Sequence, residues 1–489
     1  MTMTRDRRTV HPSYAGRCYG AAAALIATAF AVLPAFAQVA EQSVPSKGRS
    51  LMEVTVYNGN LALVRETRKA SLAKGLNRLA LTSVSPSMQP STASVTVRAE
   101  KPVAQIEQTF AFDLLTPEAL LRHSVGQTVR IIRTNPATGE EKMENAKILS
   151  ARNGVILQIG ERIETGVPGR IVYDTLPATL REMPTLLATV DASEAEPATL
   201  DLRYLTGGIT WQADYVAQLD KAGSTLAVEA VATVTNNSGA AYDDATLRLV
   251  AGSINQGPAG GQPELRTMAA KEAMVAAAPI APQPIGDMHL YPIPRKATLG
   301  DRETKQIVLF EATRVPVTKE YRIVGNGSFH TRRFGDPLTV NAERLLRFKN
   351  DKQAGLGVPM PAGTFRVYGA TEHVSDTFLG ADHIEHTANG EEIVLALGHA
   401  FDITARRVQT DFHTQGLPKN TYESAHEIKI RNATSHPVTV KVIEHLPGDW
   451  EILSASHKFK KTASDQAEWS IPIPAESDRT LTYKARVQR

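Results

Sequence analysis

Glu427-Ile428-Lys429-Ile430-Arg431-Asn432-Ala433-Thr434-Ser435-His436-Pro437-Val438-Thr439-Val440-Lys441-Val442 carries the clearest strand pattern in the sequence. Ile428 and Ile430 alternate with charged side chains, a polar turn runs from Asn432 to Pro437, and Val438, Val440 and Val442 alternate again with polar residues. A period of two places the branched apolar residues on one face of an extended chain, so each half reads as a strand packed on one side and wet on the other. A turn at Pro447-Gly448-Asp449 and the final set Leu481, Tyr483, Ala485 and Val487 continue the pattern. That spacing favours an immunoglobulin-like sandwich at the C-terminal end.

Upstream, Leu226, Val228, Ala230, Ala232 and Val234 alternate in the same way, and Leu247 and Leu249 follow suit. The spacing from Asn341 to Phe348 instead predicts one short helix. Residues 256–288 turn to Gly, Pro, Ala and Gln with few large apolar side chains, the composition of a flexible insertion. Nearer the N-terminus, Val54 to Tyr57 and Leu61 to Val64 flank Asn58-Gly59-Asn60, two strands around a turn. A second strand pair is expected where Leu72 leads through Lys74-Gly75 into Leu76, Leu79 and Leu81. Thr116-Pro117-Glu118 combines a capping hydroxyl, a first-turn proline and an early acid, predicting a helix to about His123. Short apolar segments at 129–132, 148–149, 155–157 and 171–173 then suggest a small barrel or compact sheet. The chain therefore reads as mainly β and multi-domain. Small N-terminal β domains over 50–182, with a barrel-like module, precede a large antiparallel region over 183–489 that ends in the sandwich.

The first 37 residues have the three parts of a secretory signal: Arg5, Arg7, Arg8 and Arg17, an apolar run from Ala21 to Val32, and Ala35-Phe36-Ala37 after Pro34. Cleavage is expected between Ala37 and Gln38, leaving a periplasmic or extracellular chain with no transmembrane segment; the competing reading is an uncleaved anchor over Gly20 to Ala37. The formal net charge is +3, and the leader holds four Arg and one Asp, so the mature chain is formally neutral and offers no electrostatic case for a nucleic-acid partner. The single cysteine, Cys18, lies in the leader, which removes disulfides and thiolate chemistry from the exported chain.

Several blocks together carry a resemblance. Val56-Tyr57-Asn58-Gly59 with Ala62 to Glu66, the run Arg133 to Glu141, and Tyr204-Leu205 through Trp211 to Tyr215 are followed by Lys349-Asn350-Asp351 and Gly355-Leu356-Gly357. Pro361-Ala362-Gly363 with Arg366-Val367-Tyr368, Leu379-Gly380, and Gly398 with Phe401-Asp402 complete the set. In these the chain resembles a bacterial, secreted domain-of-unknown-function family that includes mucoidy inhibitor A-like proteins, in a short branch without their coiled coil. The resemblance implies a secreted β-rich protein and brings no reaction, cofactor or catalytic residue with it.

Motifs with their own chemistry are scarce. The sequence holds no phosphate-binding loop, nucleophile elbow, His-Glu-x-x-His or EF-hand pattern. Asp382-His383-Ile384-Glu385-His386 offers imidazole and carboxylate at close range, with His373 and His399 farther off, so His383 and His386 are the candidate metal ligands. On a strand the two would face opposite ways, which favours a polar strand end near a turn. His426-Glu427 begins like a zinc-protease motif, but Ile430 takes the second histidine's place, and a solvated strand start is expected. Ser328, His330 and Asp336 are close in sequence, which by itself does not make a triad. Trp211, Tyr215, Trp450 and Trp469 are candidates for stacking on carbohydrate, against a core role suggested for Trp211 and Tyr215 by their even spacing. The expectation is a non-enzymatic envelope protein, binding or structural, without a cofactor and with an envelope protein or polysaccharide as partner. The alternative is a metal-dependent or other hydrolase acting on an envelope polymer.

Overall fold

A computed structural model of the protein describes residues 40–177, 179–255, 282–369, 376–415 and 421–488. The leader, His373 and most of the expected insertion lie outside them. The described chain is mainly β and builds five sheets. Among the strands of these sheets the pairings are antiparallel except for four parallel ones.

Three sheets share the larger core. The central one runs Gln283–Ile285, Met288–Pro292, Tyr242–Ala251, Leu51–Tyr57, Leu61–Leu72, Glu196–Thr206, Ser94–Arg98. Its apolar face (Val54, Val56, Val64, Leu200, Leu202) is clustered with Leu79, Leu81, Leu186 and Val190 of a four-stranded sheet and with Trp211, Tyr215, Val228 and Phe365 of a five-stranded one. The Trp211 indole donates to the Val250 carbonyl at 3.0 Å, and the Asn58 amide to the Trp211 carbonyl at 3.2 Å, stitching two of these sheets together. Strands from either side of residue 182 share the central sheet.

The fourth sheet is a five-stranded module, in the order Arg162–Thr165, Ile156–Ile159, Glu141–Ser150, Thr128–Thr134, Arg170–Val172. Together with helix Pro117–His123 it occupies the connection between two paired strands, Val103–Ala111 and Thr185–Ala192. The helix forms where the sequence placed it: Thr116 Oγ1 accepts the Ala119 N–H at 3.1 Å and Pro117 fills the first turn. Thr116→Ala is expected to cost about 1 kcal/mol locally, read as roughly fivefold faster amide exchange at Leu120.

The fifth sheet has nine strands and contains the stretch Glu427 to Val442. Its order is Asp449–Ala455, Ser477–Gln488, Thr421–Asn432, Glu392–Gln415, Leu338–Lys349, Thr318–Gly325, Val438–His445, Gln466–Ile473, Phe459–Ala463. Its two ends meet: the rings of Trp450 and Phe459 lie 6.4 Å apart, and the Trp450 indole donates to the Ser464 carbonyl at 2.7 Å. The result is a nearly closed sandwich or barrel around Ile428, Ile430, Val440, Val442, Trp469 and Leu481. Two of its strands extend beyond it. Leu338–Lys349 and Glu392–Gln415 contribute Ala342, Ile403 and Ala405 to the barrel, and Leu346, Phe348, Ile393 and Leu395 to the larger core.

The structure corrects three local expectations. Residues 341–348 form a strand, not a helix. Register shifts at Asn341 to Leu345 break the alternation, so Ala342, Leu345 and Leu346 are buried at a spacing of three and four that imitates a helix face. Leu72 and Leu76 belong to strands that do not pair with each other: Gly75, at φ +89°, turns the chain from the central sheet into the four-stranded one. The Asn77 side chain fastens that corner through Ala73 and Gly75. The insertion also ends earlier than 288, because Gln283–Ile285 already pairs with Met288–Pro292.

Candidate functional site

Inward-facing positions at one end of the barrel carry polar groups where the rest carry aliphatics. Counting by twos, Ile403 and Ala405 lead to Arg407, Ile430 and Ile428 lead to His426 and Ser424, and Val440 and Val442 lead to Glu444. His426 is 2 % exposed and Glu444 fully buried, so the expectation of a solvated His426 is overturned. Its two-residue step from Ile428 was the available signal.

A turn at Gly327–His330 closes over this end. Asn326 Oδ1 accepts the Ser328 N–H, and the Gln409 amide donates to the carbonyls of Phe329 and Arg332, each at 2.9 Å. Among residues 327–337, His330 is the one side chain fully buried. Its Nδ1 lies 3.1 Å from Ser424 Oγ, and its Nε2 lies 3.4 Å from Glu444 Oε2. Arg407 pairs with both oxygens of Glu444, with Nη1 at 3.0 Å from Oε2, and its guanidinium lies 4.7 Å over the Phe329 ring. Gly325 makes room: a Cβ there would stand 2.0 Å from Glu444 Oε2. His426 stacks on Tyr483 at 5.2 Å, lies edge-on to His330 at 5.0 Å, and has no hydrogen-bond partner on either ring nitrogen.

Burial would push the Glu444 carboxyl up, but Arg407 and His330 overcome it and hold the group at about 2. Burial, then His330 and Arg407, depress the His426 imidazole to about 3. At neutral pH the cluster therefore holds one buried ion pair and a neutral His426.

Ser424, His330 and Glu444 stand in the order nucleophile, base, orienter. His330 is thus brought to a serine and a carboxylate other than the neighbours in sequence; Ser328 Nα–H is tied to Asn326 and Asp336 is exposed. All three members are essentially sealed from solvent. Attack on a substrate needs an exposed Oγ, and this geometry instead anchors the turn.

The candidate metal ligands lie elsewhere. His383 is exposed on strand Thr377–Ile384, opposite Thr364, and His386 follows the strand's end. The Ala362 N–H donates to His386 Nδ1 at 3.0 Å, which leaves the ring proton on Nε2, a donor rather than a ligand. His386 shares the lining of a cavity of about 290 Å³ with His289 and Asp287, not with His383. Its pKa is lowered by burial, then by His289, against the opposing effect of Glu385. Among the described residues no three His, Cys, Asp or Glu side chains gather in a metal-binding arrangement. His399 is exposed. Trp211, Tyr215 and Trp469 are core residues, and Trp450 lies at the barrel seam under Lys461 Nζ, 4.6 Å from its ring.

A larger concavity, about 750 Å³, opens in the appended module between the helix and the segment after Arg170–Val172. Leu115, Pro117, Leu120, Ile171, Tyr173 and Leu176 give it an apolar lining, with Leu176 61 % exposed. Among the described residues, strand Arg170–Val172 pairs on one side only, with Thr128–Thr134. No helix among the described residues is long and apolar enough to cross a membrane.

No curated protein matches the chain. Residues 200–488 match the family described as "Domain of unknown function (DUF4139)". That span holds every residue of the buried cluster and excludes the appended module, and the chain belongs to the DUF4139 family.

Proposed function

We propose that this is an exported, non-enzymatic β protein of the bacterial cell envelope that binds another envelope protein through its appended module. The observation that carries the reading is the apolar groove beside the one-sided strand Arg170–Val172, on a module set into the connection between two paired strands. An extended peptide adding to that strand would satisfy its free backbone groups and place alternate side chains against Leu120, Ile171 and Leu176. Export is supported by the arginines, apolar run and Ala35-Phe36-Ala37 of the leader, and the envelope assignment by the likeness to mucoidy inhibitor A-like proteins. The sealed Ser424–His330–Glu444 line weighs against hydrolysis.

A photo-cross-linking residue placed at Leu176 in living cells should give a discrete adduct that Leu120→Asp abolishes, with no adduct from the exposed Val216 on another sheet. Equal labelling from both positions, or none from Leu176, would remove the groove from the proposal. The mature N-terminus, read by mass spectrometry of the periplasmic fraction, should be Gln38.

A further inference from the structure

The one side chain that a loop buries would most simply be aliphatic. Residues 327–337, tied at their backbone to Gln409, bury an imidazole instead, in a chamber that already contains a second imidazole and a guanidinium. We infer that the Gly327–His330 turn is an acid-released latch, which opens the end of the barrel when its buried histidine and carboxylate cluster takes up protons.

The groups facing His330 come from four strands: Arg407, then Ser424 and His426, then Glu444, then Tyr483. With His330 and His426 neutral, Arg407 and Glu444 cancel. One proton on His330 is accommodated, because Nδ1–H then donates to Ser424 Oγ and Nε2–H points to Glu444. A second proton on His426 meets two cations in a chamber closed to water, and a proton on Glu444 instead strands Arg407. Once the turn lifts away, the His426 imidazole reaches water and titrates near the ordinary value of about 6.5.

The sign follows from the proton count. His426 is depressed in the closed state, so the open state binds more protons between pH 6.5 and about 3. Opening is therefore favoured as pH falls through that window, by up to roughly tenfold per pH unit. Glu444 acts in the same direction below about 4.5, where the open state's carboxyl begins to protonate.

Hydrogen–deuterium exchange of the mature protein tests the latch. The amides of Phe329, Thr331 and Arg332, bonded to Asn326 and Ser328, should lose about 25-fold in protection between pH 7 and pH 5 after correction for intrinsic exchange, while strand Leu61–Leu72 keeps its own. His426→Phe, which keeps a ring against Tyr483 and removes the titration, should flatten the profile. If that variant does not fold, His426→Leu, which removes the same titration, should hold the turn closed at both pH values. An unchanged profile in the folded variant, or loss of protection in step with Leu61–Leu72, overturns the inference.

Discussion

Replacing Glu444 by alanine is expected to lower the unfolding free energy by about 3–5 kcal/mol at neutral pH, the range seen when one member of a buried ion pair is removed. Arg407 is 7 % exposed on its side chain and has Glu444 as its carboxylate partner, with the Tyr483 hydroxyl 3.3 Å away as a further contact. Without the carboxylate the guanidinium keeps its burial cost and loses what offsets it, and the space beside Gly325 empties. The measurement is urea denaturation of Glu444→Ala beside the double variant Arg407→Leu/Glu444→Leu. The double variant should recover most of the loss, since two apolar side chains need no compensation. A single-variant loss under 1 kcal/mol would mean that the pair is solvated.

Asn432→Ala should cost about 2–4 kcal/mol, through several buried groups left unpaired at once. The Asn432 amide donates to the carbonyls of His436 and Pro474, each at 2.9 Å, and more distantly to Ile473. Its Oδ1 accepts from the Thr434 N–H and hydroxyl. Alanine replaces none of these bonds, so the turn between strands Thr421–Asn432 and Val438–His445 loses its internal partner. Asn236 makes the same set with Ala240, Leu299, Gly300 and Ser238. Asn236→Ala should fall in the same range by thermal or urea unfolding. A loss near zero at either site would show that water takes over the freed groups.

Alternation was legible wherever one strand face is packed and the other wet, which is why Ile428 to Val442 and Leu481 to Val487 were read correctly as strands of a sandwich. It misled where bulges interrupt the pairing, as at Asn341 to Leu345. The helix at Thr116 was readable because its cap is local chemistry. The buried cluster was half legible. His426, Arg407 and Glu444 each lie two residues from a core aliphatic, so parity marked them as inward. That His330 would meet Ser424, 94 positions away, is set by sheet order, and a single chain does not display sheet order. His386 illustrates the same limit from the other side, since its cavity neighbour His289 arrives from a distant hairpin and its Nδ1 is occupied by a backbone amide.

The two strands that run through both cores, Leu338–Lys349 and Glu392–Gln415, bear on how the molecule comes apart. Melting the barrel would release half of a ladder whose other half lines the larger core, so neither can be lost at its own temperature without fraying the next. The larger core and the barrel should then behave as one cooperative unit, sharing a single reserve of stability. Damage at the barrel's histidine end would be felt in the sheets of the larger core, and the two shared strands leave no seam between them at which evolution or an engineer could detach the barrel whole.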